Sequence, residues 1–496
     1  MNSPVQIPFK SFIQIDSNSI TTIYLQIVHE FIKAIQLGFL PEGTKLPGSR
    51  ILAEIIGVNR NTLIRAFEDL EAQGWIEILP NKGTFILSDQ KQNTPNQKEF
   101  RQRANPPNAN AGFYFQKSII LDNLMELQSC ELQFNEGLPD PRLTQAGQLS
   151  KLYLSALNLN TQHEPGRYLE SSFRKQLSNY LNLTRGIHLS QTNLLPTSSH
   201  QMSLYLATQL LIAKDDTIVV AELGHYASNM VFQNAGAKVL PIPIDGDGIS
   251  IPHLEKLCRE HSIRMLYLTP FHHYPTTVSL SPKRRMEVLE LANKYGFIIL
   301  ENDYDYVFRY DNNSMLPLSS FDAGGMVVYI GSFGGVLGQG FSTGYIAAST
   351  DLIIELEKHQ QIIEPNKDFI KEEVLSKWIS EGEIHRYLKK SNKIYRERRD
   401  NFAALLKTHL DKKISFSVPS GGLAIWVEWN ININLGRLKR ESYKNGLFLP
   451  QNILYQNRKI TAMRLGFGHL TQDEAKEAIQ ILKQSVENSK NHPTTF

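Results

Sequence analysis

Apolar residues follow two different rhythms along this chain, and the switch between them divides it. Between about 20 and 88 they recur at helical spacing. Ile23, Ile27, Phe31 and Ile35 lie about one turn apart and predict a helix over 22–40. Pro41 and Gly43 stop that helix in the turn LPEGTKLPGS. Ser49 is placed to cap a second short helix, RILAEII, and Gly57 to make a tight turn. Asn59 is placed to cap a third helix, RNTLIRAFEDLEAQ, which ends at Gly74. Two β-rich runs, WIEIL and GTFIL, then flank the turn Pro80–Asn81–Lys82–Gly83. Helix, helix–turn–helix and hairpin in that order predict a winged helix.

From about 113 to 488 the rhythm changes. Strand-like runs at 217–223, 237–244, 264–270 and 296–302 alternate with helical stretches such as 199–213, 225–235 and 282–295. This alternation predicts a largely parallel sheet covered by helices. The stretch between, 89–112, is rich in Asn, Gln and Pro and too poor in large apolar residues to offset its ordering entropy, so it is expected to be a linker. No charged residue occurs between Asp322 and Asp351, a length sufficient to span a bilayer. Dense glycine and the polar Ser332, Gln339, Ser342 and Thr343 instead predict two buried strands joined by a glycine turn. The tail SKNHPTTF is expected to fray.

Composition excludes whole classes. With 41% hydrophobic and 20% charged residues over 496 positions, the chain is neither largely disordered, collagen-like nor a disulfide-stapled mini-protein. The 52 basic residues nearly balance the 49 acidic ones, so net charge alone points to no partner. Cys130 and Cys258 are the two cysteines, and their wide separation favours a reducing compartment. The N-terminus, MNSPVQIPFKSF, has no basic region followed by an apolar run, and a cytoplasmic location away from membranes is expected.

Local charge matters more. Residues 20–88 hold six Lys or Arg and seven Asp or Glu, a net of −1, which is unpromising for a DNA reader. The charges segregate, however. Lys45, Arg50, Arg60, Arg65 and Lys82 fall in turns and helix starts, whereas Glu68, Asp69 and Glu71 lie toward the far end of the third helix. Arg60, Asn61, Thr62 and Arg65 suit base edges and phosphates in a major groove. Lys82 and Gly83 at the hairpin tip can reach a phosphate or the minor groove, and Arg50 a phosphate. Double-stranded operator DNA is the expected partner. The alternative is a winged helix used for protein contacts.

The tracts LPGSRILAE and GVNRNTLIRAFEDLEAQG, followed by a wing closing in GTF, resemble the winged-helix domain of the GntR family of bacterial regulators. The rest resembles a fold-type-I aminotransferase, in the order found in the MocR subgroup of that family. FNEGLPDPRL (134–143), YLESSFRKQLSNYLNLTRGI (168–187), LPTSSHQMSLYLATQLL (195–211), TPFHHYPTT (269–277), ILENDYDYVFRY (299–310), GGLAIWVEW (421–429) and MRLGFGHL (463–470) carry the likeness. It implies a multidomain α/β fold: a winged helix (1–88), the linker, and an aminotransferase-like domain (113–490). That domain comprises a mostly parallel sheet with helices on both faces and a small α+β subdomain (about 113–159 with 376–490).

The resemblance also implies a pocket. Amides near Ser199 and His200 would hold the phosphate of pyridoxal phosphate, Tyr226 would stack on its ring, Tyr304 would lie on the strand end beneath it, and Arg464 would grip a substrate carboxylate. Departures from the family pattern follow. Gly335 stands where the Schiff-base lysine belongs, and no lysine occurs between Lys294 and Lys358. A glycine has no amine to act as nucleophile or proton shuttle. Ser342 replaces a phosphate-binding arginine and Asn302 the carboxylate that pairs with the pyridine nitrogen; Asp303 is expected to face the other way, since neighbouring strand side chains alternate. Thr277 replaces the proline loop's glycine and Ala424 a histidine. Transamination is therefore expected to be lost, with no covalently bound cofactor, leaving a homodimeric regulator with a pocket for pyridoxal phosphate itself, a related compound or a smaller effector. The competing readings are a working transaminase with a DNA-binding appendage and a pure dimer scaffold. The His272–His273 pair lacks partners at metal-ligand spacing, and DYDYVFRYDNN lacks the calcium-loop pattern, so no metal is expected.

Overall fold

The computed structural model describes residues 9–13, 15–16, 21–80, 82–87, 111, 113–115, 130–160, 172–311, 315–337, 341–365 and 368–490. Most of the expected linker and the terminal residues 491–496 lie outside them. The chain divides into two compact units, Met1–Phe115 and Gln116–Phe496.

In the first unit α1 (Ile23–Gln36), α2 (Ser49–Ile56) and α3 (Arg60–Ala72) precede an antiparallel hairpin of β1 (Ile76–Leu79) and β2 (Gly83–Ile86). Helix α1 buries Ile27, Val28, Phe31 and Ala34; Ile23, on the expected stripe, is 40% exposed because it opens the helix at the edge of the core. Helix α3 answers with Leu63, Ala66, Phe67 and Leu70, and the Phe31 and Phe67 rings meet edge to face at 5.7 Å. Asn59 caps α3, its side chain accepting from the Asn61 amide. Ser49 is the first residue of α2, and Gly48 occupies the cap position without a side-chain bond. Gly57 closes α2 at φ 74°, where a side chain would be strained.

The second unit is built on a seven-stranded sheet. Its strands are β3 (Leu194–Thr197), β4 (Thr217–Ala221), β5 (Lys238–Ile242), β6 (Ile263–Leu268), β7 (Ile298–Asn302), β8 (Val327–Ser332) and β9 (Gly344–Ala347), in the order β3-β9-β8-β7-β6-β4-β5. Only β9 runs antiparallel to its neighbours. Both faces are covered, so the strands are near-continuous apolar runs. Leu300 packs with Met265, Ile330 and Ile346 on one face, and Ile299 with Leu266, Val288 and Phe297 on the other. The uncharged stretch resolves into β8, a helical turn at Gly334–Leu337 and β9. No helix among the described residues is long and apolar enough to cross a membrane. A smaller antiparallel sheet, β10 (Ile414–Phe416), β11 (Ala424–Trp429), β12 (Leu454–Gln456) and β13 (Thr461–Gly466), packs with its own core around Phe402, Leu465 and Phe467.

Candidate functional site

The winged helix exposes its charged candidates. Lys45, Arg50, Arg60, Asn61, Arg65 and Lys82 are exposed, and Thr62 and Gly83 half-buried. Arg60 Nε lies 3.5 Å from Ser49 Oγ, which brings the starts of α2 and α3 together. The Arg65 guanidinium sits 4.1 Å from the Tyr24 ring centroid, a stacking contact that orders it while leaving its edge free. Lys45 crosses the wing: a Cβ on Gly83 (φ 119°) would come within 2.8 Å of Lys45 Cε. Glycine there leaves room for the Lys45 side chain to lie against the wing.

In the second unit a cleft of about 480 Å³ opens beyond the carboxyl ends of the parallel strands, where open α/β sheets bind ligands. Ser199, His200, Asn302, Tyr304, Gly335 and Ser342 all line it. Ser199 caps the helix His200–Leu211, accepting from Met202 N at 3.1 Å. The Ser342 hydroxyl donates to the Ser198 carbonyl at 3.3 Å. Asn302, at the last position of β7, donates Nδ2 to the Tyr267 hydroxyl at 2.8 Å. That hydroxyl is 3.1 Å from Ser228 Oγ, itself 3.1 Å from His225 Nδ1, so a chain of hydrogen bonds crosses the floor. A Cβ on Gly335 would meet no atom of the described residues within 4 Å, so their crowding does not require the glycine.

Three expectations are corrected by the geometry. Tyr226 is 60% exposed, and its neighbour His225 lines the cleft instead, because Tyr226 opens a helix whose buried side carries Ser228 and Phe232. Arg464 is fully buried in β13 and committed to protein oxygens. Nε donates to the Glu136 carbonyl at 2.7 Å and Nη1 to the Pro275 carbonyl at 2.9 Å; Nη2 lies 3.4 Å from the Tyr304 hydroxyl and 3.5 Å from Asp305 Oδ2. Asp303 faces the cleft together with Asn302, because it lies past the end of β7 where strand alternation no longer applies.

Asp303 also brings a partner that sequence reasoning missed. Its Oδ2 receives Arg185 Nη2 at 3.0 Å and the Tyr345 hydroxyl at 3.1 Å, and the Arg185 guanidinium lies 4.2 Å from the Tyr306 ring centroid. Glu136, His225, Tyr274 and Asp305 complete the missed set. Their signal in the sequence is faint, because they come from separate segments scattered between residues 136 and 305.

Burial governs the electrostatics. It pushes His200 down to about 4, with the nearby His225 adding to the effect and Asp303 opposing it. Burial likewise lowers His225, so both rings are neutral near pH 7. Burial raises Asp305 to about 7 against the pull of Arg464. The cleft therefore offers backbone amides, neutral rings and carboxylates. Its one described lining cation, Arg185, is already paired. Among the described residues no group of three or more His, Cys, Asp or Glu could hold a metal.

Comparison with known proteins gives this geometry its class. Residues 122–481 match the family aminotransferase class I and II, and residues 23–86 match the bacterial regulatory proteins of the gntR family. The chain belongs to the aminotransferase class I and II family and carries a GntR-type helix–turn–helix domain, the combination of the MocR subgroup. It is similar to the uncharacterized HTH-type transcriptional regulator YdfD of Bacillus subtilis (strain 168), 27% identical over 92% of this chain and 95% of that one. The probable rhizopine catabolism regulatory protein MocR of Rhizobium meliloti is 22% identical over 83% and 82%. Among solved structures, the multiple substrate aminotransferase of Thermococcus profundus superposes with a TM-score of 0.69 at 22% identity, covering 76% of this chain and 98% of that one. The last likeness concerns the fold, one associated with pyridoxal phosphate.

Proposed function

We propose that this protein is a DNA-binding transcription regulator whose aminotransferase-like domain pairs two copies and senses a small ligand without catalysing transamination. The observation that carries this reading is a cleft in the family's ligand position whose described lining contains Gly335 and no lysine. Without an amine there is no covalent capture of a carbonyl cofactor. Asn302 supplies a neutral amide where a carboxylate would keep a pyridine nitrogen protonated, and Ser342 no positive charge for a phosphate. These residues fit pyridoxal phosphate poorly. The exposed Arg60, Asn61 and Arg65 on α3, with Arg50 and Thr62 nearby and Lys45, Lys82 and Gly83 on the wing, form the operator-reading face. A two-fold particle would present two such faces to paired half-sites.

Mixing the purified protein with pyridoxal phosphate and borohydride tests the cleft. The expected result, by peptide mapping at equimolar cofactor, is only scattered partial labelling of exposed lysines; stoichiometric reduction onto one particular lysine would reveal a Schiff-base residue and overturn this reading. Footprinting of bound genomic DNA, with and without metabolite extract, tests the regulator and the sensor together. Protection of discrete sites that the extract alters is expected.

A further inference from the structure

The cleft has two features that the reading above leaves unused. The first is an unmatched oxygen. Asp303 has only 2% of its side chain exposed, and Oδ2 holds Arg185 and Tyr345, yet Oδ1 has no hydrogen-bond partner among the described residues. A buried carboxylate oxygen of this kind calls for a donor. The second is the sign of the lining. Arg185 is neutralised by Asp303, and Asp305 has Arg464 at 3.5 Å behind the wall. Glu136 accepts from the Tyr274 hydroxyl at 3.2 Å and from Asn452 Nδ2 at 3.1 Å, but it forms no ion pair among the described residues. At the end where the family holds a phosphate, Ser199 and Ser342 supply hydroxyls and no charge.

We propose that the cleft binds a small organic ammonium ion rather than a phosphorylated compound, its positive end drawn to Glu136 and its N–H donors available to Asp303 Oδ1. This rests on the ligand-sensing reading and gives it a substrate class. Desolvating Glu136 without a counter-charge is unfavourable, whereas a charge-assisted hydrogen bond from an ammonium group restores what water loses. A phosphate at the Ser199–Ser342 end would find hydroxyls and amides but no described cation free to neutralise it.

The test uses the full-length protein in thermal melts and titration calorimetry at constant ionic strength. The probes are 1,4-diaminobutane, its neutral isostere 1,4-butanediol, inorganic phosphate and pyridoxal phosphate. The diamine is expected to raise the melting temperature with concentration while the diol and both phosphates do not. Glu136→Gln is expected to weaken the diamine at least tenfold; if that variant fails to fold, the diamine–diol contrast on the wild type decides. Stabilisation by either phosphate, equal effects of diamine and diol, or no effect of the diamine overturns the ammonium preference. A parallel arm separates this from the parent reading. Metabolite extract passed through cation-exchange resin that still alters DNA binding leaves sensing intact and removes the ammonium ligand. Extract that never alters DNA binding, with no probe moving the melting temperature, removes both.

Discussion

The two ends of this chain handle charge in opposite ways. On the winged helix Arg50, Arg60 and Lys82 stand exposed. At the cleft Arg185, and behind its wall Arg464, are buried and engaged by protein oxygens. A surface that meets a polyanion needs charges it can give up to the partner at small desolvation cost. A buried site keeps charges only when each is matched, since an unmatched one destabilises the fold. The contrast teaches that the same residue type, arginine, reads as contact on one unit and as framework on the other.

The sharpest way to break that contrast is to unpair the framework. Asp303→Ala leaves Arg185 buried without a counter-charge and should cost about 3–5 kcal/mol of stability, measured by denaturant unfolding. A loss below 1 kcal/mol would mean that water reaches the guanidinium. Acid should act in the same direction. His200 is held at about 4, and burial holds His272 and His273 at about 3. These folded-state values lie below the unfolded value of 6.5. The unfolded chain therefore takes up protons first, and the histidines' contribution to stability is full above pH 6.5 and is lost as pH drops from there toward 3, while the buried carboxyls Asp305 and Glu301, both raised to about 7, act in the opposite sense and lose theirs as pH rises toward 7. Melting temperatures across that range check the slope, and His273→Asn should flatten it.

On the exposed unit the effects fall on binding and spare the fold. Arg60→Ala should weaken binding to the protein's own promoter region by about 1–3 kcal/mol, read by fluorescence anisotropy, with the melting temperature unchanged. Lys82→Ala should reduce the slope of log affinity against log salt by roughly one, uniformly across sequences. The smallest effect belongs to Thr277. It holds φ 61°, a left-handed backbone that a β-branched residue adopts under strain. Thr277→Gly should stabilise by about 0.5 kcal/mol, the relief being partly offset by the entropy of a freer unfolded chain.

Legibility followed the same divide. The winged helix could be read almost to the residue, because its caps, turns and apolar stripes act over a few positions: Asn59 caps α3 and Gly57 ends α2, although Ser49 begins its helix rather than capping it. The sheet strands were likewise visible as apolar runs. The cleft was legible where a motif carried it, at Ser199, Asn302 and Gly335. It was not legible where orientation decided. One residue of helix start separates Tyr226, turned outward, from His225, turned in. Asp303 escaped the alternation rule by lying one position beyond the strand. The Arg185–Asp303 pair joins segments 118 residues apart, which spacing along one sequence cannot reveal.

The open space beside Gly335 has a practical use. A thiol introduced there would stand at the wall of the cleft with no neighbour among the described residues within 4 Å of its Cβ. After the two native cysteines are replaced, it is a single attachment point for an environment-sensitive dye, turning the protein into an optical reporter of whatever molecule it receives.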